Sequence, residues 1–185
     1  MTAHGGPLAP ARPLLHNGRA LAAVVSAPIS KTSWTILEVL QWTANRFGER
    51  GVPSPRLDAE LLAAHALGLS RVQLYTQFDR PLEAAELAAL RELVRRRQAG
   101  EPVAYMTGRK EFWSLDLTVD ARVLIPRPDT ETLVEEALER AGEGAPARVA
   151  DVGTGSGAVA LALAKARPGL AVYATDVSPD ARSAT

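Results

Sequence analysis

Residues 148–176 read RVADVGTGSGAVALALAKARPGLAVYATD, and this stretch decides the fold. Arg148 to Val152 form a short apolar strand, Gly153-Thr154-Gly155-Ser156-Gly157 a flexible turn, and Ala158 to Ala166 an alanine-rich helix. Arg167, Pro168 and Gly169 close that helix, and Leu170 to Thr175 supply a second apolar strand that ends at Asp176. Three glycines in five residues let the backbone turn sharply and approach a ligand with no side chain in the way. The helix that follows turns free N–H groups toward the same place. Asp176 lies 19 residues beyond Gly157, where a carboxylate at a strand tip can accept hydrogen bonds from ribose hydroxyls. The unit therefore predicts a site for a nucleoside-containing cofactor.

Two cofactor classes use such a unit. Gly153, Gly155 and Ala158 satisfy the G-x-G-x-x-G/A pattern, so a nicotinamide dinucleotide is allowed. S-adenosylmethionine is favoured by Asp151, two residues before the first glycine, because a carboxylate beside the loop suits a cation carrying an ammonium and a sulfonium. A dinucleotide needs the helix start free for its pyrophosphate. A P-loop is excluded, since no Lys-Ser or Lys-Thr follows the glycines.

Upstream, residues 115–125 predict a hairpin. Leu115, Leu117 and Val119 alternate with polar residues, Asp120 and Ala121 suggest a turn, and Val123 to Ile125 read as the returning strand. Pro126 and Pro128 end it, and Asp129 or Thr130 caps a helix carrying Leu133, Val134, Ala137 and Leu138. Further upstream the period is helical. Ser33 is expected to cap a helix with Ile36, Leu37, Leu40, Ala44 and Phe47 at helical spacing. Ser54-Pro55 opens a second helix with Leu57, Leu61, Ala64 and Leu67 on one face, up to Gly68. Ser70 starts a short one, and Pro81 introduces a longer one with Leu82, Leu87, Leu90, Leu93 and Val94 inward, stopped by Gly100. Residues 32–105 thus read as a small all-helical bundle, and residues 106–185 as a hairpin plus a first strand–helix–strand unit. Arg95, Arg96 and Arg97 read either as a solvated helix end or as a contact for RNA or an acidic partner. His65, among apolar neighbours, reads as packing.

Composition narrows the function classes. Of 185 residues, 46% are apolar and 23% charged, which excludes fully disordered and collagen-like readings. Lys+Arg and Asp+Glu are equal at 21, so no bulk charge draws the chain to DNA, RNA or an anionic membrane. No cysteine is present, which fits a reducing compartment, and the cytoplasm is the expected location. No stretch approaches the roughly 20 apolar residues of a membrane span. The apolar run Ala20–Val25 behind Arg19 is short for a signal peptide, and residues 1–31, punctuated by proline and glycine, are expected to be a disordered tail. No metal-ligand cluster is visible, and a monomer is expected.

Four segments carry a resemblance: LDAELLAAHALGLSR (57–71), RRRQAGEPVAYMTGRKEFWSLDLTV (95–119), VLIPRPDTETLVE (123–135) and DVGTGSGAVALALA (151–164). Together they resemble the HemK/PrmC family, the protein-glutamine methyltransferases of peptide chain release factors, over residues 33 to 182. The resemblance implies a helical N-terminal domain that helps grip a class 1 release factor, a hairpin, and a class I, Rossmann-like, S-adenosylmethionine-dependent methyltransferase domain with a seven-stranded sheet. By position, Gly153, Thr154, Gly155, Ser156 and Gly157 would form the cofactor loop, with Asp176 as ribose partner and Arg127 and Thr130 near the cofactor's edge. The substrate would be the glutamine of a Gly-Gly-Gln motif.

In one respect the sequence departs from that pattern. The family's catalytic Asn-Pro-Pro-Tyr does not occur, and Asn17 and Asn45, the only asparagines, do not precede proline. The chain is accordingly expected to be the front part of such an enzyme, without catalytic residues and inactive alone. A nicotinamide-dependent oxidoreductase and a non-catalytic module that binds a translation factor remain the alternatives.

Overall fold

Capping residues set the helix starts in the first half of the protein. The computed structural model describes residues 33–142 and 148–184, so the expected tail at 1–31 lies outside the described residues. Helix α1 (Ile36–Glu49) begins at Thr35, not Ser33: the Thr35 hydroxyl accepts from Glu38 N–H while the Glu38 carboxylate accepts from Thr35 N–H. Helix α2 (Pro55–Leu67) starts behind Ser54, whose side chain makes no capping bond, and ends at Gly68 in the left-handed region. Helix α3 (Arg71–Thr76) carries a second capping box, Ser70 with Gln73. Helix α4 (Ala84–Gln98) begins at Glu83, so Leu82 is buried just before it. A short helix α5 (Val103–Thr107), not anticipated, fits between Pro102 and a left-handed Gly108.

Helix α2 sits differently from the expected apolar face. Its buried residues are Asp58, Ala59, Glu60, Leu62 and Ala63, while Leu57 is exposed. The two carboxylates tolerate burial because each is paired. Asp58 accepts from Arg97 Nε at 2.7 Å, tying α2 to α4. Glu60 accepts from Arg56 at 3.0 Å, Arg71 Nε at 3.1 Å and the Tyr75 hydroxyl. Burial pushes the Glu60 carboxyl up, but those hydrogen bonds outweigh it and hold the group below its ordinary value. Around this helix lies the first core, which includes Ile36, Phe47, Leu62, Leu74 and Leu90.

The hairpin is displaced from its expected register. Its strands are β1 (Arg109–Phe112) and β2 (Leu115–Thr118), antiparallel, with Phe112 opposite Leu115. The turn is therefore Trp113-Ser114, and both residues have positive φ, +52° and +54°. Neither is the Asn or Gly that signals such a turn, which is why the sequence points elsewhere. Residues 123–125 form no strand: the Asp120 carboxylate binds the Arg122 backbone and side chain, and Val123 N–H bonds the Asp120 carbonyl, so this segment is a local turn.

Helix α6 (Thr130–Arg140) begins behind Asp129 and packs on α7 (Ala158–Ala166), whose bounds match the expected ones. Strands β3 (Arg148–Val152) and β4 (Ala171–Thr175) pair in parallel, with Asp151 opposite Ala174. They form a sheet of their own, separate from the hairpin. A last short helix, α8 (Pro179–Ala184), follows. A second core, including Phe112, Val119, Val134, Leu163 and Leu170, joins the hairpin to α6 and α7. The two cores lie within one compact unit, Ser33–Thr185. Val149 and Val172 turn toward the second core, while Val152 and Tyr173 are exposed.

Candidate functional site

The glycine loop leaves β3, crosses the tip of β4 and enters α7. Thr175, the last residue of β4, accepts at its carbonyl from both Gly153 N–H (2.8 Å) and Thr154 N–H (3.0 Å). Gly153, Gly155 and Gly157 have φ of +82°, +55° and +75°, a region that side chains rarely adopt, so the run of glycines is required by the backbone path. A Cβ built on Gly153 or Gly155 would meet nothing within 4 Å, so the loop borders open space. Ser156 is buried in the same turn.

Two carboxylates hold this loop. Asp151 Oδ2 accepts from the Thr154 hydroxyl at 2.7 Å and from Ala160 N–H at 3.1 Å. Ala160 is the third residue of α7, so a side chain from the preceding strand does the work of an N-cap, which Gly157 has no side chain to perform. Asp151 Oδ1 accepts no hydrogen bond among the described residues. Asp176 holds the other side: its Oδ2 accepts from Gly155 N–H at 2.9 Å and its Oδ1 from Ser178 N–H at 2.8 Å.

The structure thus links Asp151, Gly153, Thr154, Gly155 and Asp176 by hydrogen bonds, with Ser156 and Gly157 in the same turn. Arg127 and Thr130 are not joined to it: Thr130 N–H bonds the Arg127 carbonyl at 3.0 Å, and Arg127 is exposed at the start of α6. The neighbouring Glu131, not among the expected site residues, has a definite task. Its carboxylate accepts from Trp113 N–H at 2.9 Å, and Lys165 of α7 donates to the Ser114 carbonyl at 2.8 Å, so two helices grip the hairpin turn. Glu131 lies inside the segment VLIPRPDTETLVE (123–135) that carries the resemblance, which is its signal in the sequence.

The arginine cluster is internally neutralised. Arg95 pairs with Glu92 (2.6 Å), Arg96 with Glu101 (2.5 Å) and Arg97 with Asp58 (2.7 Å). Among the described residues no group of three or more His, Asp or Glu could hold a metal ion, and no helix is long and apolar enough to cross a membrane.

A helical part is thus followed by an α/β unit whose glycine loop is held by one carboxylate from β3 and by another just past the end of β4. Residues 38–108 match the model of the PrmC N-terminal domain. The chain is 49% identical over 151 residues to a release factor glutamine methyltransferase of Rhodopirellula baltica, covering 80% of this chain and 51% of the relative. It is 51% identical over 148 residues to that of Geobacter sulfurreducens, with 80% and 51% covered, and 47% identical over 153 residues to that of Chlorobaculum tepidum, with 80% and 52% covered. Over the region it shares with them the chain is similar to release factor glutamine methyltransferases, and it spans about half the length of the curated relatives it matches.

Proposed function

We propose that the glycine loop binds S-adenosylmethionine and that the protein of which this sequence is characteristic methylates the side-chain amide of the Gly-Gly-Gln glutamine in class 1 peptide chain release factors. The observation that carries the cofactor reading is the Asp151 carboxylate on the first turn of α7. An anionic ligand seated there would meet a negative charge where a pyrophosphate needs N–H donors, so a dinucleotide is disfavoured. A cation is favoured by the same charge, and Asp151 Oδ1 retains its acceptor capacity for an ammonium. The fit extends to the open space before Gly153 and Gly155.

Bound there, S-adenosylmethionine supplies an electrophilic methyl on a sulfonium. The chain's own residues orient it: the glycine loop lets the backbone approach, Asp151 sets the charge, and Asp176 stands at the strand tip where a carboxylate accepts from ribose hydroxyls. An amide nitrogen is a poor nucleophile, and its alignment requires acceptors for its N–H hydrogens. No Asn-Pro-Pro-Tyr is present in this sequence to provide them. We therefore assign residues 32–105 to release-factor binding and residues 106–185 to the cofactor half of a class I fold, and no methyl transfer by these 185 residues alone is expected. The names of the relatives support the substrate class, and a place for Arg127 and Thr130 at the cofactor's edge rests on the family resemblance alone.

Equilibrium binding of radiolabelled S-adenosylmethionine against NAD, to this chain and to a full-length relative, tests the proposal. S-adenosylmethionine should bind and NAD should not. Preference for NAD would overturn the cofactor assignment. Methyl incorporation into a release factor by this chain alone would overturn the expectation that these residues transfer no methyl group.

A further inference from the structure

Helices α1 and α4 both pack on α2 yet make little contact with each other, and the gap between them is an open groove. Its floor is apolar, with Trp34, Val39, Trp42, Leu87, Leu90 and Val94. Trp42 stands edge-on to Trp34, ring centres 6.4 Å apart, and remains 50% exposed, an unusual degree for an indole whose neighbours could have covered it. Beneath it lies Thr43, 1% exposed, whose hydroxyl has no hydrogen-bond partner among the described residues. The groove continues between Arg46 of α1 and Arg95 of α4, with Arg91 lining both halves.

The rim carries the charge. Arg46 pairs with Glu49 and Arg95 with Glu92, but Arg91 has no carboxylate partner among the described residues. We propose that this groove is a docking site for an acidic amphipathic helix of a partner protein. The dimensions suit a helix: the α4 wall from Leu87 to Gln98 is about 16 Å long, three turns at 1.5 Å per residue. A groove between two helices receives apolar side chains at i, i+4 and i+7 of a third, the arrangement of helix-in-groove recognition. An acidic residue beside that stripe meets Arg91, whereas a basic helix would bring its cations against that unpaired guanidinium. The groove lies within the part assigned above to release-factor binding, but the inference is read from the groove itself and rests neither on that assignment nor on the cofactor reading.

The test uses the 185-residue protein and a fluorescein-labelled synthetic peptide of about 15 residues, long enough for a helix, with Leu at i, i+4 and i+7 flanked by Glu. A peptide with Lys in place of Glu is the control. By anisotropy the acidic peptide should bind about tenfold more tightly than its basic counterpart, and Arg91→Glu, a surface change, should abolish or reverse that preference. Trp42→Ala should weaken the acidic peptide about tenfold, as loss of an aromatic anchor does, with circular dichroism checking the fold. Absence of binding, equal binding of the two peptides, or indifference to Arg91→Glu would overturn the proposal. So would a dimer seen by sedimentation and lost in Trp42→Ala, because the groove would then be covered by a second copy. S-adenosylmethionine binding, measured in parallel, should be unaffected by either variant.

Discussion

Replacing Asp151 should loosen α7 from its N-terminus while leaving the helical part unchanged. The carboxylate accepts two hydrogen bonds, from the Thr154 hydroxyl and from Ala160 N–H. Losing a side-chain cap costs about 0.5 to 2 kcal/mol, and the Thr154 bond adds about 0.5 to 1.5 kcal/mol. Asp151 is only half-buried, so water recovers part of this, and a net loss of about 2 kcal/mol is expected for Asp151→Ala. Asp151→Asn keeps an oxygen acceptor and removes only the charge, which is worth about 0.3 to 1 kcal/mol at a helix start. Native-state hydrogen exchange reads the difference locally. The Ala160 amide should exchange about 30-fold faster in the alanine variant and a few-fold faster in the asparagine variant, with Leu62 and Leu90 amides unmoved. An Ala160 rate within about twofold of the parent in Asp151→Ala would show that the strand carboxylate does not cap the helix. The charge argument for a cationic ligand would then fall as well.

Other perturbations test separate pieces. Gly155→Val forces a branched residue into φ near +55° and fills the open side of the loop, so a full-length relative carrying it should lose S-adenosylmethionine binding by calorimetry; retained affinity sinks the loop assignment. Thr43→Val removes a buried hydroxyl that has no partner among the described residues and should stabilise the protein by about 1 kcal/mol, a rise of about 2 to 4 °C in Tm, whereas a fall would mean the hydroxyl is bonded. Glu60 makes stability depend on pH: its folded-state pKa is lowered, so its contribution is present above the unfolded value of 4.5 and lost as pH falls through the folded one. Urea midpoints of Glu60→Gln and the parent should therefore differ at pH 7 and converge in acid; a gap that widens in acid refutes the sign.

The second half of the sequence was the more legible where glycine and proline punctuate it. Helix α7 runs over the residues expected because Gly157 and Pro168 bound it, and β3 and β4 flank it as short apolar runs. The hairpin was misplaced because its turn is written Trp-Ser, with no local preference for positive φ; the conformation is imposed by Glu131 and Lys165 from distant helices. On α2 the apolar pattern misleads because Asp58 is paired by Arg97, far along the chain, and Glu60 by Arg56, Arg71 and Tyr75, which makes it favourable to bury both carboxylates. At the site, spacing pointed to Asp151 but not to its bond with Ala160, nine residues on, which only the closed strand–loop–helix path creates.

The grip on the Trp113-Ser114 turn has a consequence for the order of assembly. A turn with two non-glycine residues at positive φ opposes its own closure, so strands β1 and β2 are poor at forming a hairpin by themselves. Glu131 follows Trp113 by 18 residues, but Lys165 follows Ser114 by 51, so on a ribosome the second of the two grips becomes available only after α6, β3 and most of α7 have been made. The hairpin is predicted to lock late, as a clasp closed by elements made after it. Pulse-labelling exchange during refolding would show the Trp113 amide gaining protection with or after α7; protection before α7 would contradict that order.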